Sequence, residues 1–88
     1  MATSTTWTRK KQETDGDHRF ERRAVMTRAF ELATTADERV RLFSLLRADV
    51  DTHDGLDYLQ VFICDQDGRR VWCIDDGAYV TWLLPSDY

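Results

Sequence analysis

Apolar residues recur along this chain at two spacings. From Val40 onward, the set Val40, Leu42, Phe43, Leu45, Leu46 and Val50 forms a broad stripe at helical spacing, with Arg39, Arg41 and Arg47 mostly outside it. The stretch Thr34-Thr35-Ala36-Asp37-Glu38 just before it is a helix start. The Thr35 hydroxyl can accept from the Glu38 amide, and the Glu38 carboxylate can reach back to the Thr35 amide. Asp37 and Glu38 also suit the positive end of a helix. The helix should stop near Asp51, ahead of the turn His53-Asp54-Gly55.

The second spacing is two. Leu56 to Cys64 reads as a strand with Leu59, Val61 and Ile63 on one face and Tyr58, Gln60, Phe62 and Cys64 on the other. Asp67-Gly68 signals a hairpin, because both central positions of the tight turn need positive φ. Arg69 to Ile74 then returns, and a tip at Asp67-Gly68 pairs Ile63 with Trp72 and Val61 with Ile74. That builds an apolar face suited to covering the helix. The same register sets Cys64 opposite Val71 and Cys73 opposite Phe62, so the thiols are diagonal neighbours, which argues against a disulfide. After the turn Asp75-Asp76-Gly77, Tyr79 to Leu84 makes a last strand with Val80, Trp82 and Leu84 on one side, ended by Pro85.

The N-terminal part is less regular. Met1 to His18 is polar, with Trp7 its single large apolar residue, and shows neither period, so residues 1–18 are expected to be a flexible arm. In Phe20 to Leu32 a strand over about Arg22 to Arg28 competes with a helix built on Arg, Glu, Ala and Leu. The expected architecture is therefore α+β: a single domain over residues 19–88 in the order β-α-β-β-β, with one helix on one face of an antiparallel sheet.

Composition changes this picture little, and charge changes it more. The 88 residues fit one domain, whose stability a protein partner or a homodimer could raise. No apolar run approaches the roughly 20 residues of a membrane span, and Met1 to Thr8 lacks the pattern of a signal peptide. With only Cys64 and Cys73, the expectation is reduced thiols in a cytoplasmic setting. The formal charge of −4 is unevenly spread. Residues 1–48 hold ten bases against seven acids, and residues 49–88 hold two bases, Arg69 and Arg70, against nine acids. The acidic half should repel nucleic acid and attract basic surfaces, with an attraction that weakens in salt.

Reactive constellations are scarce. His18 and His53 stand far apart, no metal-ligand spacing occurs, and Asp65-x-Asp67-Gly68 lacks the later ligands of a calcium loop. Asp75 and Asp76 are adjacent on a strand end, so their carboxylates should point to opposite faces. Neither cysteine has a base placed beside it by sequence. No cofactor and no metal are expected, and the chain reads as a non-enzyme. The aromatic side of the hairpin is the more suggestive feature. If the other face packs the helix, Tyr58, Gln60 and Phe62 lie outward beside acidic loops, as a binding surface would.

Leu56-Asp57-Tyr58-Leu59-Gln60-Val61-Phe62 resembles the LDYLQVF segment of a small bacterial family, domain of unknown function nine-sixty. Val71-Trp72-Cys73-Ile74-Asp75-Asp76-Gly77 followed by Thr81-x-Leu83-Leu84-Pro85-Ser86-Asp87-Tyr88 resembles its closing pattern, and Thr27-Arg28 its early Thr-Arg-Gly. The likeness covers about the last two thirds of the chain. The chain departs from it in two places: a tight hairpin stands where the family has a longer insert with His and Gln-Glu residues, and Ala29 stands where it has Gly. The resemblance implies no activity. It implies small proteins of phages, plasmids and other mobile elements, among which compact inhibitors of host defence are common.

Two functional expectations follow. In the first, the protein is a non-catalytic binding module, of the kind that inhibits a host defence nuclease complex in the manner of an anti-CRISPR protein. Its acidic surface (Asp57, Asp65, Asp67, Asp75 and Asp76, with Tyr58, Gln60 and Phe62) would dock on a basic, nucleic-acid-binding site. In the second, the basic N-terminal arm, with Arg9, Lys10, Lys11, Arg22 and Arg23, contacts nucleic acid while the acidic domain recruits or regulates.

Overall fold

The computed structural model describes residues 6–12 and 14–88. In chain order its elements are β1 (Trp7–Arg9), β2 (Ala24–Met26), α1 (Arg28–Ala33), α2 (Ala36–His53), β3 (Leu59–Cys64), β4 (Arg70–Asp75), β5 (Val80–Leu83) and a closing 3₁₀ turn, Pro85–Asp87. The strands form one sheet in the order β1-β3-β4-β5-β2, and the class is α+β. All neighbouring pairs are antiparallel except β2 with β5, which run parallel. An all-antiparallel sheet was expected. Periodicity identifies a strand but carries no information on its direction.

The long helix begins as its sequence dictates. The Glu38 amide donates to the Thr35 hydroxyl at 3.1 Å, and the Thr35 amide donates to the Glu38 carboxylate at 2.9 Å. Its end lies two residues beyond the expected stop, where Asp54 takes a left-handed conformation (φ 53) and its N–H closes on the Val50 carbonyl. The two readings of Phe20 to Leu32 both apply, one after the other. Ala24–Met26 is a strand, and Thr27 then caps α1 by accepting from the Phe30 amide at 3.1 Å.

The helix buries Leu42, Leu46 and Val50 against one side of the sheet. Trp82 stands at the centre of that core, with the rings of Phe30, Phe43 and Phe62 between 5.0 and 5.7 Å from its own. This reverses the expected faces of β3. Gln60, Phe62 and Cys64 are buried under the helix, and Leu59, Val61 and Ile63 are the half-buried residues of the opposite face. Both sets are apolar enough to line a core. The large Phe62 ring against Trp82, and partners for the Gln60 amide, decide the parity.

The hairpin register also differs. Val61 pairs with Trp72, Ile63 with Arg70 and Phe62 with Val71. The turn spans Asp65 to Gly68, held by the Gly68 amide on the Cys64 carbonyl (2.9 Å) and the Cys64 amide on the Arg69 carbonyl (2.8 Å). Gly68 alone supplies the positive φ, 75°. The slide is two residues, so it preserves which side chains share a face. Cys73 now lies opposite Gln60, and both thiols are free and buried.

Part of the expected flexible arm is folded. Met1 to Thr5 and Glu13 lie outside the described residues. Trp7–Arg9 forms an edge strand on β3, with Trp7 opposite Cys64 and buried in the core. Farther along, His18 and Leu56 exchange both backbone hydrogen bonds, at 2.8 and 2.9 Å. Gly16 sits so close that a Cβ there would meet the Leu56 carbonyl oxygen at 2.6 Å. A polar composition hid this docking because one buried indole and a few backbone bonds carry it.

Candidate functional site

The acidic residues read from the sequence separate into structural and exposed groups. Asp75 is buried, and its carboxylate accepts from the Phe20 and Gly77 amides, each at 3.1 Å, with His18 Nδ1 at 3.7 Å. It braces Phe20, which is buried in a left-handed conformation (φ 54) and whose carbonyl also accepts from Arg47 at 2.7 Å. Asp75 is therefore part of the framework and leaves the expected docking surface. Gln60 and Phe62 leave it too, being 1% and 0% exposed on the helix side.

Asp57, Asp65, Asp67, Asp76 and Tyr58 keep access to solvent. Asp57 accepts from the Thr14 hydroxyl and the Tyr58 amide, and Asp65 from the Thr8 hydroxyl at 2.8 Å. The Arg69 backbone amide and then its side chain hold the Asp67 carboxyl below the usual range. The Tyr79 and Ala78 amides do the same for Asp76. Among the described residues, Asp57, Asp65 and Asp76 take part in no ion pair.

The basic segment divides in the same way. Arg9 is 10% exposed, with Nε on Asp49 at 2.5 Å and Nη1 on Gln60 at 2.6 Å, so its guanidinium belongs to the packing between β1, β3 and α2. Arg19 bridges to Asp54 at 2.8 Å and Glu21 at 3.2 Å. Lys10, Lys11, Arg22 and Arg23 remain exposed. The sequence's division into a basic and an acidic half is thus partly cancelled in space, because the chain folds its first bases onto its later acids.

The feature that sequence reading missed is the outer face of the sheet. α2 covers one side. On the other lie the half-buried Leu59, Val61 and Ile63 of β3 and Trp72 and Ile74 of β4, brought side by side by the pairings Leu59 with Ile74 and Val61 with Trp72, with Leu83 of β5 buried beside Trp72. An antiparallel sheet with one covered face ordinarily alternates polar residues outward. Here β3 and β4 present aliphatic and aromatic side chains instead. Tyr88 packs edge-on against Trp72 at 5.6 Å and is itself 81% exposed. Thr8 on β1 and Thr81 on β5 flank the apolar strip, exposed Val25 of β2 lies beyond Thr81 on the same face, and Arg70 stands at the hairpin end with Asp57 and Asp76 at the opposite end of β3 and β4. A recess of about 240 Å³ along the β1 side is lined by residues that include Lys10, Lys11, Asp57, Leu59 and Val61. The available signal was the composition of Leu59-Gln60-Val61-Phe62-Ile63-Cys64, apolar at both parities as in a strand covered on both sides.

Among the described residues no group of His, Cys, Asp and Glu is arranged to hold a metal. Burial, and second the Asp75 carboxylate, push the Cys73 thiol well above its ordinary range, away from the reactive thiolate. His18 faces Asp75 and the edge of Tyr58, and within the described residues makes no side-chain bond to a hydroxyl or thiol. Among the described residues, no helix is long and apolar enough to cross a membrane.

Comparison with protein-family models, curated proteins and solved structures returned no match.

Proposed function

We propose that this protein is a non-catalytic binding module whose interface is the outer face of its sheet. The observation that carries the reading is the apolar strip of Leu59, Val61, Ile63, Trp72 and Ile74, half-buried side chains that keep some access to solvent on the sheet face opposite α2, with Tyr88 packed at its margin on Trp72. A contiguous apolar patch that keeps access to solvent and has a polar rim is the usual mark of an interaction site. Asp57, Asp65 and Asp76 around it, and the net charge of −4, favour a partner with basic residues beside its own apolar patch. Inhibition of a nucleic-acid-handling defence complex, by covering a basic surface, is the specific form of this reading that the acidity supports. The alternative contact with nucleic acid keeps Lys10, Lys11, Arg22 and Arg23 but loses Arg9, whose guanidinium is occupied by Asp49 and Gln60.

The test is site-specific photo-crosslinking in cells, with benzoylphenylalanine at Val61, Ile74 or, as a control, Leu32, which is 73% exposed on α1. Adducts should form from positions 61 and 74, not from 32, and should be lost when Trp72→Thr is added. Equal adducts from position 32, or none from 61 and 74, would remove the sheet face as the interface.

A further inference from the structure

We infer that the free edge of β2 is a docking site for an extended, acidic segment of a protein partner, added to the sheet as a further strand. This edge is separate from the outer face of the sheet, and the inference does not depend on that reading. β2 ends the sheet, and every residue from Glu21 to Met26 is exposed. Its parallel pairing with β5 uses the odd-numbered residues. The Val80 amide donates to the Arg23 carbonyl, and the Thr27 amide donates to the Trp82 carbonyl, each at 3.0 Å. Backbone groups alternate sides along a paired strand, so the N–H and C=O of Ala24 and Met26 point away from β5. Neither residue gives or accepts a backbone hydrogen bond on that side among the described residues. Such a row of unpaired donors and acceptors is a template for another strand.

Side chains and charge define the occupant. Alternate residues of an added strand face the α2 side, where a cleft between helix and sheet is walled by Phe20, Ala24, Phe43, Val80 and Trp82. Phe43, 5.0 Å from Trp82 and 36% exposed, offers its ring to an apolar side chain of that strand. Arg22 and Arg23 precede β2 and Arg28 follows it, all three exposed and, among the described residues, in no ion pair. Arg47, on the same cleft, donates to the Arg19 and Phe20 carbonyls at 3.0 and 2.7 Å and pairs with no described carboxylate. Against these bases stand Asp51, bridged to Arg19 at 3.5 Å, and Asp76, near Arg22. The edge is thus basic on a chain of formal charge −4, and the strand that complements it carries carboxylates at its ends. The same arginines oppose a second copy, because pairing β2 with β2 would gather three exposed arginines from each chain along one short ladder. Nucleic acid would answer the arginines, but it brings neither a peptide ladder for Ala24 and Met26 nor an apolar side chain for the cleft.

Three synthetic nine-residue peptides test this on the full-length protein, by amide chemical shifts and hydrogen exchange. The first has a central phenylalanine in a run of valine and threonine, with two glutamates at each end. The second carries lysines in place of the glutamates. The third keeps the glutamates but is N-methylated throughout its central run, which blocks its ladder donors in either orientation. The glutamate peptide should give saturable shifts over Arg22–Thr27 and Phe43–Arg47 and slow the exchange of the Ala24 and Met26 amides. It should bind at least about threefold tighter than the lysine peptide, and the N-methylated peptide should slow neither amide. Ala24→Pro, tolerated on an edge strand whose N–H faces solvent, removes one docking donor and should weaken binding about fivefold or more. Arg23→Glu with Arg28→Glu, which touches neither core nor ladder, should weaken it about tenfold or more. Tighter binding by the lysine peptide, undiminished binding by the N-methylated one, shifts confined to Trp7–Arg9 at the other edge, no saturable shift, or a dimer paired through β2 would each overturn the inference. So would a thymidine oligonucleotide that slows the Ala24 and Met26 amides more strongly than the glutamate peptide.

Discussion

Asp75 shows how much a single buried carboxylate does in a domain this small. Each of its two oxygens answers a different backbone amide, Oδ2 that of Phe20 and Oδ1 that of Gly77. An asparagine of the same shape has one oxygen and one NH₂ group, so Asp75→Asn would turn a donor towards one of those amides. One buried N–H then goes unanswered beside a residue already held at positive φ. We expect a loss of about 2–3 kcal/mol, read as a lower urea midpoint with an unchanged slope. Asp76, one residue on, behaves oppositely because it is exposed and ties only its own turn. Its carboxyl titrates below its ordinary value of 3.8, so the unfolded chain takes up that proton more readily than the folded one. The contribution is in place above the ordinary value and is lost as pH falls through the lowered one. Asp76→Asn keeps an oxygen for the Tyr79 and Ala78 amides and removes the titration. The urea midpoint followed from pH 5 to pH 2 should therefore fall less steeply in the variant than in the parent. Sequence reading separated these neighbours by strand alternation, and they do point apart. It had no way to see that the inward one meets Phe20, 55 positions earlier.

At the scale of elements, local chemistry was legible and partnership was not. The capping box of Thr35 and Glu38 involves residues three apart, and it stands as its spacing requires. Gly68 was read correctly as the turn's left-handed residue, but the pairing it sets was read two positions off. An Asp-Gly pair does not say whether it is the whole tip or the end of a longer one. The parity of β3 failed for a different reason: its even and odd positions are both apolar, and burial under α2 depends on Phe62 meeting Trp82, a contact made across the fold. The edge strand β1 failed because period analysis needs more than three residues, whereas one buried indole suffices to dock a strand. That docking is directly testable. Were residues 6–9 a tail, Trp7→Ala would leave stability unchanged. With the ring in the core and Arg69 over it at 5.3 Å, the substitution should cost about 3 kcal/mol, measured by urea denaturation. Exchange of the β3 amides that face β1 should accelerate in parallel.

Across the whole molecule the decisive quantity is where charge remains after folding. The sequence presents a basic first half and an acidic second half, and the fold joins them: Arg9 to Asp49, and Arg19 to Asp51 and Asp54. What survives around the open face is the set Asp57, Asp65 and Asp76, opposed by Arg70 at the hairpin end and by Lys10 and Lys11 along the β1 side. A mixed rim of this kind steers and orients more than it binds, so under the proposed interface the apolar strip would supply most of the affinity. The two functional readings therefore part under charge reversal. In Asp57→Lys with Asp76→Lys, both exposed acids flanking one end of the strip become bases, and neither buried Asp75 nor the strip itself is touched. A protein partner with a basic rim should then crosslink to position 61 at least about tenfold less efficiently. The parent yield should decline as salt rises, because exposed charges more than about 8–10 Å apart are screened at physiological ionic strength. Nucleic acid bound through Lys10, Lys11, Arg22 and Arg23 would respond in the reverse sense, retained more tightly by a protein whose net charge has moved from −4 towards zero. Crosslinking yield and filter retention of a labelled duplex, measured on the same variant, thus move in opposite directions under the two readings. Unchanged yield from position 61 would mean that the rim plays no part and that the strip alone selects its partner.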